Sequence, residues 1–367
     1  MGYAFYIVML ALAGLLLFKS GAAAEGAAEG LRLFAEDVLP CLFPFMVCGQ
    51  YLTGADGHLR RRQASKLGSA AEGLWQWLLC ALCGTPSAAI ICRRRFEQGS
   101  TRAQASMLCA ALNQMNPFFV CVLVASRLFS AAWAGWVLAA AHYFPALIFT
   151  LALIVLERRQ AADSEIAVNG CKAQDRGKVP LAPEGHASLA LAISGAVSAV
   201  LKVGGTVVFF RVIIAVADSM GVFGGLSGVA ASLISGLFEM TNGVALLGRA
   251  ALADAFALEQ ALALCSGLLS FGGVCVFMQS KLFFEELSAR HYFAAKLLTG
   301  GVSYAVCRLL YPCASGSAET SASFAQPFEG AVYSVRAGGV SAIMLCVFLA
   351  AAASFVYARI IIRRPVV

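Results

Sequence analysis

Charge is what this sequence has least of. Only 13% of its 367 residues are charged, against 60% that are hydrophobic; an ordinary soluble domain carries about 25% and about 45–50% respectively. One water-facing fold cannot hide that much apolar surface, so a soluble globular class is excluded. Catalytic signatures are missing as well. There is no Walker loop, no GxSxG elbow and no HExxH pair, and Gly204-Gly205 and Gly224-Gly225 lack the strand context of a dinucleotide fingerprint. The four histidines, His58, His142, His186 and His291, are scattered over loops and segment ends. An enzyme, a primary pump and a bound cofactor are therefore not expected. The net charge of +7 forms no single aromatic-laced basic face, which argues against nucleic acid as a partner. Cysteine is not scarce, at 13, but Cys80 and Cys83 have no second pair or nearby histidine to complete a metal site. Most of the others lie inside apolar runs, where they act as small hydrophobes.

What the chain has in abundance is apolar runs of membrane length. Spanning ~30 Å of hydrocarbon takes about 20 helical residues, and stretches such as Ala131–Leu156 and Leu189–Ala217 reach that length. Apolar segments fall at roughly 3–23, 38–54, 74–92, 104–130, 133–156, 189–217, 226–248, 258–284, 291–311 and 339–362. Ala22-Ala23-Ala24 resembles a signal-peptidase site, but no Lys or Arg precedes Tyr3–Phe18, so this run reads as an uncleaved first helix. Residues 157–187, charged and containing Pro180 and Pro183, read as a flexible loop, and 312–338, rich in Ser, Ala and Gly, as an irregular one. The organisation expected is an N-terminal helix and outer loop (1–37), a first repeat (38–156), a cytoplasmic loop (157–188), a second repeat (189–311), and an outer loop with a C-terminal helix (312–367).

The two repeats show as ordered matches. Gln104-Ala-Ser-Met-Leu-Cys109 aligns with Gln260-Ala-Leu-Ala-Leu-Cys265, Val120-Cys121-Val122 with Val274-Cys275-Val276, and Ser126-Arg-Leu-Phe129 with Ser280-Lys-Leu-Phe283. At the offset of the first match, Thr85 corresponds to Thr241 and Arg93 to Arg249. Internal repeats in a polytopic chain are a transporter signature. Charge placement then sets the topology. Arg60, Arg61, Arg62 and Lys66 precede segment 74–92, and Arg93, Arg94, Arg95 and Arg102 follow it. A crossing there would put basic loops on both sides, against the positive-inside rule. A re-entrant hairpin turning at Gly84-Thr85-Pro86-Ser87, with arms reaching ~15 Å, keeps both on one side. With 226–248 as a second hairpin entering from the opposite face, the outer loops retain only Arg32, Arg249 and Arg336. The fold class expected is an all-α polytopic membrane protein of two inverted repeats, with re-entrant hairpins and broken helices, about eight spanning helices plus two hairpins, and both termini in the cytoplasm.

Four polar breaks interrupt the apolar segments: Gly84–Ser87, Asn113–Pro117, Glu239–Gly243 and Ser270–Gly273. Irregular backbone at membrane depth is tolerated only where protein or a water-filled cavity surrounds it, and half-helix ends there can hold a substrate or ion. The binding residues expected are Thr85, Ser87, Asn113, Asn116, Lys202, Glu239, Thr241, Asn242, Ser270 and Gln279. Glu239 is the one acidic residue within an intramembrane break, and such a carboxylate is a functional candidate by default; it suits a coupling cation, a proton or a cationic side chain. Lys202, near the centre of 189–217, needs an acidic partner, an anionic substrate or water. A Lys202–Glu239 ion pair and a substrate role for Lys202 stand side by side as readings.

At these motifs the chain resembles the YlbJ-type sporulation integral membrane proteins, within the wider group carrying the nucleoside recognition gate domain. The resembling stretches are Val38-Leu-Pro-Cys-Leu-Phe-Pro-Phe-Met46, Gly84-Thr-Pro-Ser-Ala88, Asn113-Gln-Met-Asn-Pro-Phe118, Glu239-Met-Thr-Asn-Gly243 and Phe271-Gly-Gly-Val-Cys-Val-Phe-Met-Gln279. Such relatives tend to read Gly-Tyr-Pro-x-Gly at the first hairpin, where this chain has Gly84-Thr85-Pro86-Ser87-Ala88. The resemblance implies an inverted-repeat transporter fold similar to that of concentrative nucleoside carriers, acting in the cell membrane. It also implies movement of dipicolinic acid, a small organic anion, during sporulation. A proton or a sodium ion is the candidate coupling partner, and the sequence does not choose between them. A non-transporting scaffold of the same fold, or a carrier of nucleosides or other neutral solutes, are the alternatives; the sequence is silent on oligomeric state.

Overall fold

The computed structural model describes residues 2–63, 69–84, 87–168 and 188–322. Among these there is no strand, and helices follow one another with few intervening residues. In the N-terminal part run α1 (Gly2–Phe18), α2 (Ser20–Leu33), a π-helical turn at Phe34–Val38, and α3 (Leu39–Gln63). Then come α4 (Ser69–Cys83), α5 (Ser87–Glu97), α6 (Arg102–Leu112), a π-helix at Phe119–Leu128, and α7 (Gly135–Val168). The remainder holds α8 (Leu189–Ser219), α9 (Gly228–Phe238), α10 (Met240–Leu252), α11 (Leu258–Phe271), α12 (Gly273–Lys281) and α13 (Ala289–Ala322).

Among the described residues, four helices are long and apolar enough to cross a membrane: Ala132–Leu156, Leu189–Ser219, Leu258–Lys281 and Ala289–Pro312. A fifth is reached if Tyr6–Phe18 and Ser20–Leu52, bent by 97° at their junction, count as one broken span. The expected C-terminal helix at 339–362 lies outside the described residues. Large apolar side chains stand exposed along these helices, among them Leu191, Leu201, Phe144, Ile148, Leu297 and Leu309. In water so much exposed apolar surface is disfavoured; against lipid tails it is the normal outer face.

Two expected loops are partly helical. α7 continues through Val168, and α13 through Ala322. For α7 the reason lies in composition: Glu157-Arg-Arg-Gln-Ala-Ala162 is made of strong helix formers, so the helix runs past the end of its apolar stretch. The continuation of α13 through Pro312 and Gly316 has no such basis in propensity.

Each expected break is a helix junction. Gly84, at φ +67°, follows α4, and Ser87 opens α5. Asn113–Asn116 lie outside any helix between α6 and the π-helix, and Asn113 is extended at φ −78° and ψ 90°. Glu239 alone, at φ −138° and ψ 110°, separates α9 from α10, and Gly272 separates α11 from α12. Gly272 and Gly273 have φ of +80° and +77°, the left-handed region open to glycine at no steric cost. The flanking pieces are short: α5, α6 and α9 have 11 residues each, which at 1.5 Å per residue reach about 16 Å, half the hydrocarbon. α6 starts at a capping box, with the Thr101 side chain accepting from Gln104 N and the Gln104 side chain accepting from Thr101 N.

Packing brings the parts into one body. α8 lies against α2, α3 and α12, while α13 lies against α6, α7 and α11. A single apolar cluster joins Met115 and Phe119 at the first broken helix to Met240, Val244 and Leu247 of α10. Cys80 and Cys83 sit buried as free thiols in a second cluster with Cys92 and Cys109.

Candidate functional site

The second broken region is built around one carboxylate. Glu239 N donates to Ser235 O at 2.8 Å, closing α9. Its side chain turns the other way and caps α10: Oε1 accepts from Thr241 N at 3.0 Å and Oε2 from Asn242 N at 2.7 Å. Glu239 is buried to 2% exposure. The free N–H groups and positive end of a helix dipole are where a buried carboxylate costs least. The two arms close tightly behind it. A Cβ at Gly243 would stand 2.4 Å from Gly236 Cα and 2.6 Å from Ser232 O, so only glycine lets α9 and α10 approach this closely. A Cβ at Gly273 would meet Gly236 O at 2.9 Å, which puts the start of α12 against the carbonyl end of α9.

The first broken region is held by side chains from several helices. Asn113 Nδ2 donates to Ser280 Oγ at 2.7 Å and Tyr292 Oη at 2.8 Å. Lys296 Nζ donates to Asn113 O at 2.6 Å. Met115 N donates to His142 Nε2 at 3.2 Å, and Tyr143 Oη donates to Met115 O at 2.6 Å. Because His142 Nε2 accepts, the ring of a neutral His142 carries its proton on Nδ1, which donates to Ser270 Oγ at 2.8 Å. Asn116 Nδ2 donates to Cys41 O at 2.7 Å, and its Oδ1 accepts from Phe119 N at 2.7 Å. Each satisfied group would otherwise be an orphan at membrane depth. Asn113 Oδ1 and Gln114 Oε1 are buried with no hydrogen-bond partner among the described residues.

Between the two breaks lies a small cavity. It is lined by Gln114, Met115 and Phe119 from the first, by Glu239, Met240 and Thr241 from the second, and by Gln279, Val276, Val38, Leu42, Val203 and Val207. Its water-accessible space is about 30 Å³, room for one or two waters. Gln279 is fixed by donating to Thr206 Oγ1 at 3.0 Å and to Cys275 Sγ at 3.3 Å.

Of the residues expected from the sequence, Glu239, Thr241 and Gln279 meet at this cavity. Asn242 stands beside Glu239, its Nδ2 buried without a partner among the described residues. Asn113, Asn116 and Ser270 belong to the hydrogen-bond network of the first break rather than to the cavity lining. Ser87 is buried where α5 begins, its N donating to Gly84 O, and Thr85 lies outside the described residues. Lys202 is elsewhere. It is exposed on α8, with Nζ 4.7 Å from the centroid of the Phe283 ring, and neither pairs with Glu239 nor lines the cavity. Helix geometry explains this: Val203 and Val207, one turn apart, take the inward stripe, and Lys202 falls on the neighbouring face.

Three contributors were not singled out in the sequence. Gln114 sits inside a motif noted for its asparagines. His142 lies two turns into α7 and is buried, not at a segment end. Lys296, at 2% exposure, lies within an apolar run near its start, where a lysine ordinarily reads as reaching for the interface; the signal available was its distance from any basic cluster.

No family model matches the chain, and no solved structure matches it. Over 328 residues it is 26% identical to the sporulation integral membrane protein YlbJ of Bacillus subtilis, an alignment covering 78% of this chain and 77% of that protein. The chain is similar to a YlbJ-type membrane protein. With this likeness and its long apolar helices, the YlbJ-like chain is a multi-pass membrane protein.

Proposed function

We propose that the protein is a secondary transporter, not an enzyme, that carries a small organic acid together with a proton across the cell membrane. The observation that carries this reading is the convergence of two broken helices on one small, largely apolar cavity edged by a buried carboxylate, Glu239. Broken helices around a central site are how many carriers hold substrate and coupling ion between repeats, and we read α4 to the π-helix and α9 to α12 as the cores of two inverted repeats. The chemistry follows from the cap on α10. The Glu239 carboxylate occupies the N–H groups of Thr241 and Asn242. A protonated Glu239 releases those two donors, and a substrate carboxylate takes them. Proton and acid then load together, and the cycle moves no net charge for a monoacid. Since the cavity holds only water at its present size, loading requires α9 and α10 to draw back from the first break.

Dipicolinate is the first substrate to test, on the strength of the likeness to a sporulation membrane protein. Radiolabelled dipicolinate uptake into proteoliposomes, driven by an inward proton gradient, is expected to saturate and to fall about tenfold in Glu239→Gln, the effect of ~1.4 kcal/mol. Absent uptake from folded protein would instead favour the scaffold. One feature supports a neutral solute as the second reading: among the described residues, no cationic side chain lines the cavity. Nucleoside uptake indifferent to the proton gradient would favour it.

A further inference from the structure

The first broken helix receives a buried lysine, Lys296, that the transport reading does not use. α6 ends at Asn113, whose N donates to Cys109 O before the chain turns extended at φ −78° and ψ 90°. The last carbonyls of a helix have no intrahelical partner and form its negative end. Onto that end comes Lys296 from α13, its Nζ 2.6 Å from Asn113 O. An ammonium at this depth pairs with a carboxylate or with backbone carbonyls. The ion pairs between described residues are Arg93–Glu97, Arg127–Asp37, Arg211–Glu29 and Arg308–Glu259, and none involves Lys296. It meets instead a ring and the backbone carbonyl of a residue whose side chain gathers neutral oxygens. The Tyr292 ring centroid is 5.9 Å from Nζ, the hydroxyls of Tyr292 and Ser280 are tied to Asn113 Nδ2, and Asn113 Oδ1 is buried without a partner among the described residues. A half-helix C-terminus with unwound carbonyls is the arrangement by which broken-helix carriers coordinate a sodium ion.

We propose that the C-terminal end of α6 is a monovalent-cation site filled from within by the Lys296 ammonium, so that this break needs no sodium. The lysine is a tethered cation: it neutralises the helix end, and its removal leaves a site for a small free cation. The occupant it replaces is sodium-sized or ammonium-sized, not a divalent ion, because the donors are neutral oxygens.

Melting of the purified full chain tests this without any transport assay. The native protein is expected to melt at the same temperature in sodium, potassium and choline chloride at equal ionic strength. Lys296→Ala is expected to melt several degrees lower, and sodium or ethylammonium to recover most of that loss where choline does not. Lys296→Met, which keeps the bulk and blocks the site, is expected to melt low and to respond to none of them. The proposal is overturned if Lys296→Met melts with the native chain, if no small cation outdoes choline on Lys296→Ala, or if sodium specifically raises the native melting temperature. Should Lys296→Ala fold only when solubilised with ethylammonium or sodium, that supports the tethered cation; failure to fold with either overturns it.

Discussion

The two broken regions solve the same problem with opposite charges. At the first, the carbonyl end of α6 meets an ammonium from a distant helix, Lys296, and neighbouring side chains from α7, α12 and α13 hold the non-helical residues. At the second, the N–H end of α10 meets a carboxylate from the break itself, Glu239, and little else is needed because one residue lies outside the helices rather than four. A longer break exposes more backbone and recruits more of the protein; a short one caps itself. The first region is therefore wired into the rest of the fold, and the second depends on a close approach of its two arms.

Substitutions can break that contrast. The largest effect is expected at the wired side: Asn116→Ala strands Cys41 O and Phe119 N together, at a cost of about 2–4 kcal/mol, read as a lowered midpoint in a denaturation curve. If stability is unchanged, the first break is not held by its side chains. Next, Gly243→Ala forces a methyl against Gly236 and Ser232 O, and the resulting overpacking costs about 1–3 kcal/mol. Hydrogen exchange is expected to quicken in α9 and α10 while α6 and α13 stay protected, and a uniform change would mean the two regions are not independent. The smallest effect belongs to Lys202→Gln, which touches neither region: uptake and melting are expected to match the native chain. Lost uptake would return Lys202 to the site.

How legible these regions were in the sequence follows the same division. Glu239 and the positions of all four breaks could be read directly, because Pro, Gly, Asn or a lone acid stands out against an apolar background. Lys296 and His142 could not, since their roles come from where α13 and α7 cross the first break, a matter of tertiary packing that no local spacing records. Lys202 misled for a related reason. Depth along an apolar run can be counted in residues, whereas the face a residue occupies depends on which neighbours the helix meets. The continuation of α7 and α13 beyond their apolar stretches was hidden because the end of an apolar run marks where a lipid-facing stretch stops, not where a helix does.

The glycine seam between α9 and α10 has a mechanical consequence. Two arms that touch backbone to backbone, through Gly236 and Gly243, have no side chains between them to slide or re-pack in small steps. They keep one shape or come apart altogether. The pair is in effect a stiff plate, and displacement concentrates at its fastenings, the turns at 220–227 and 253–257 on either side.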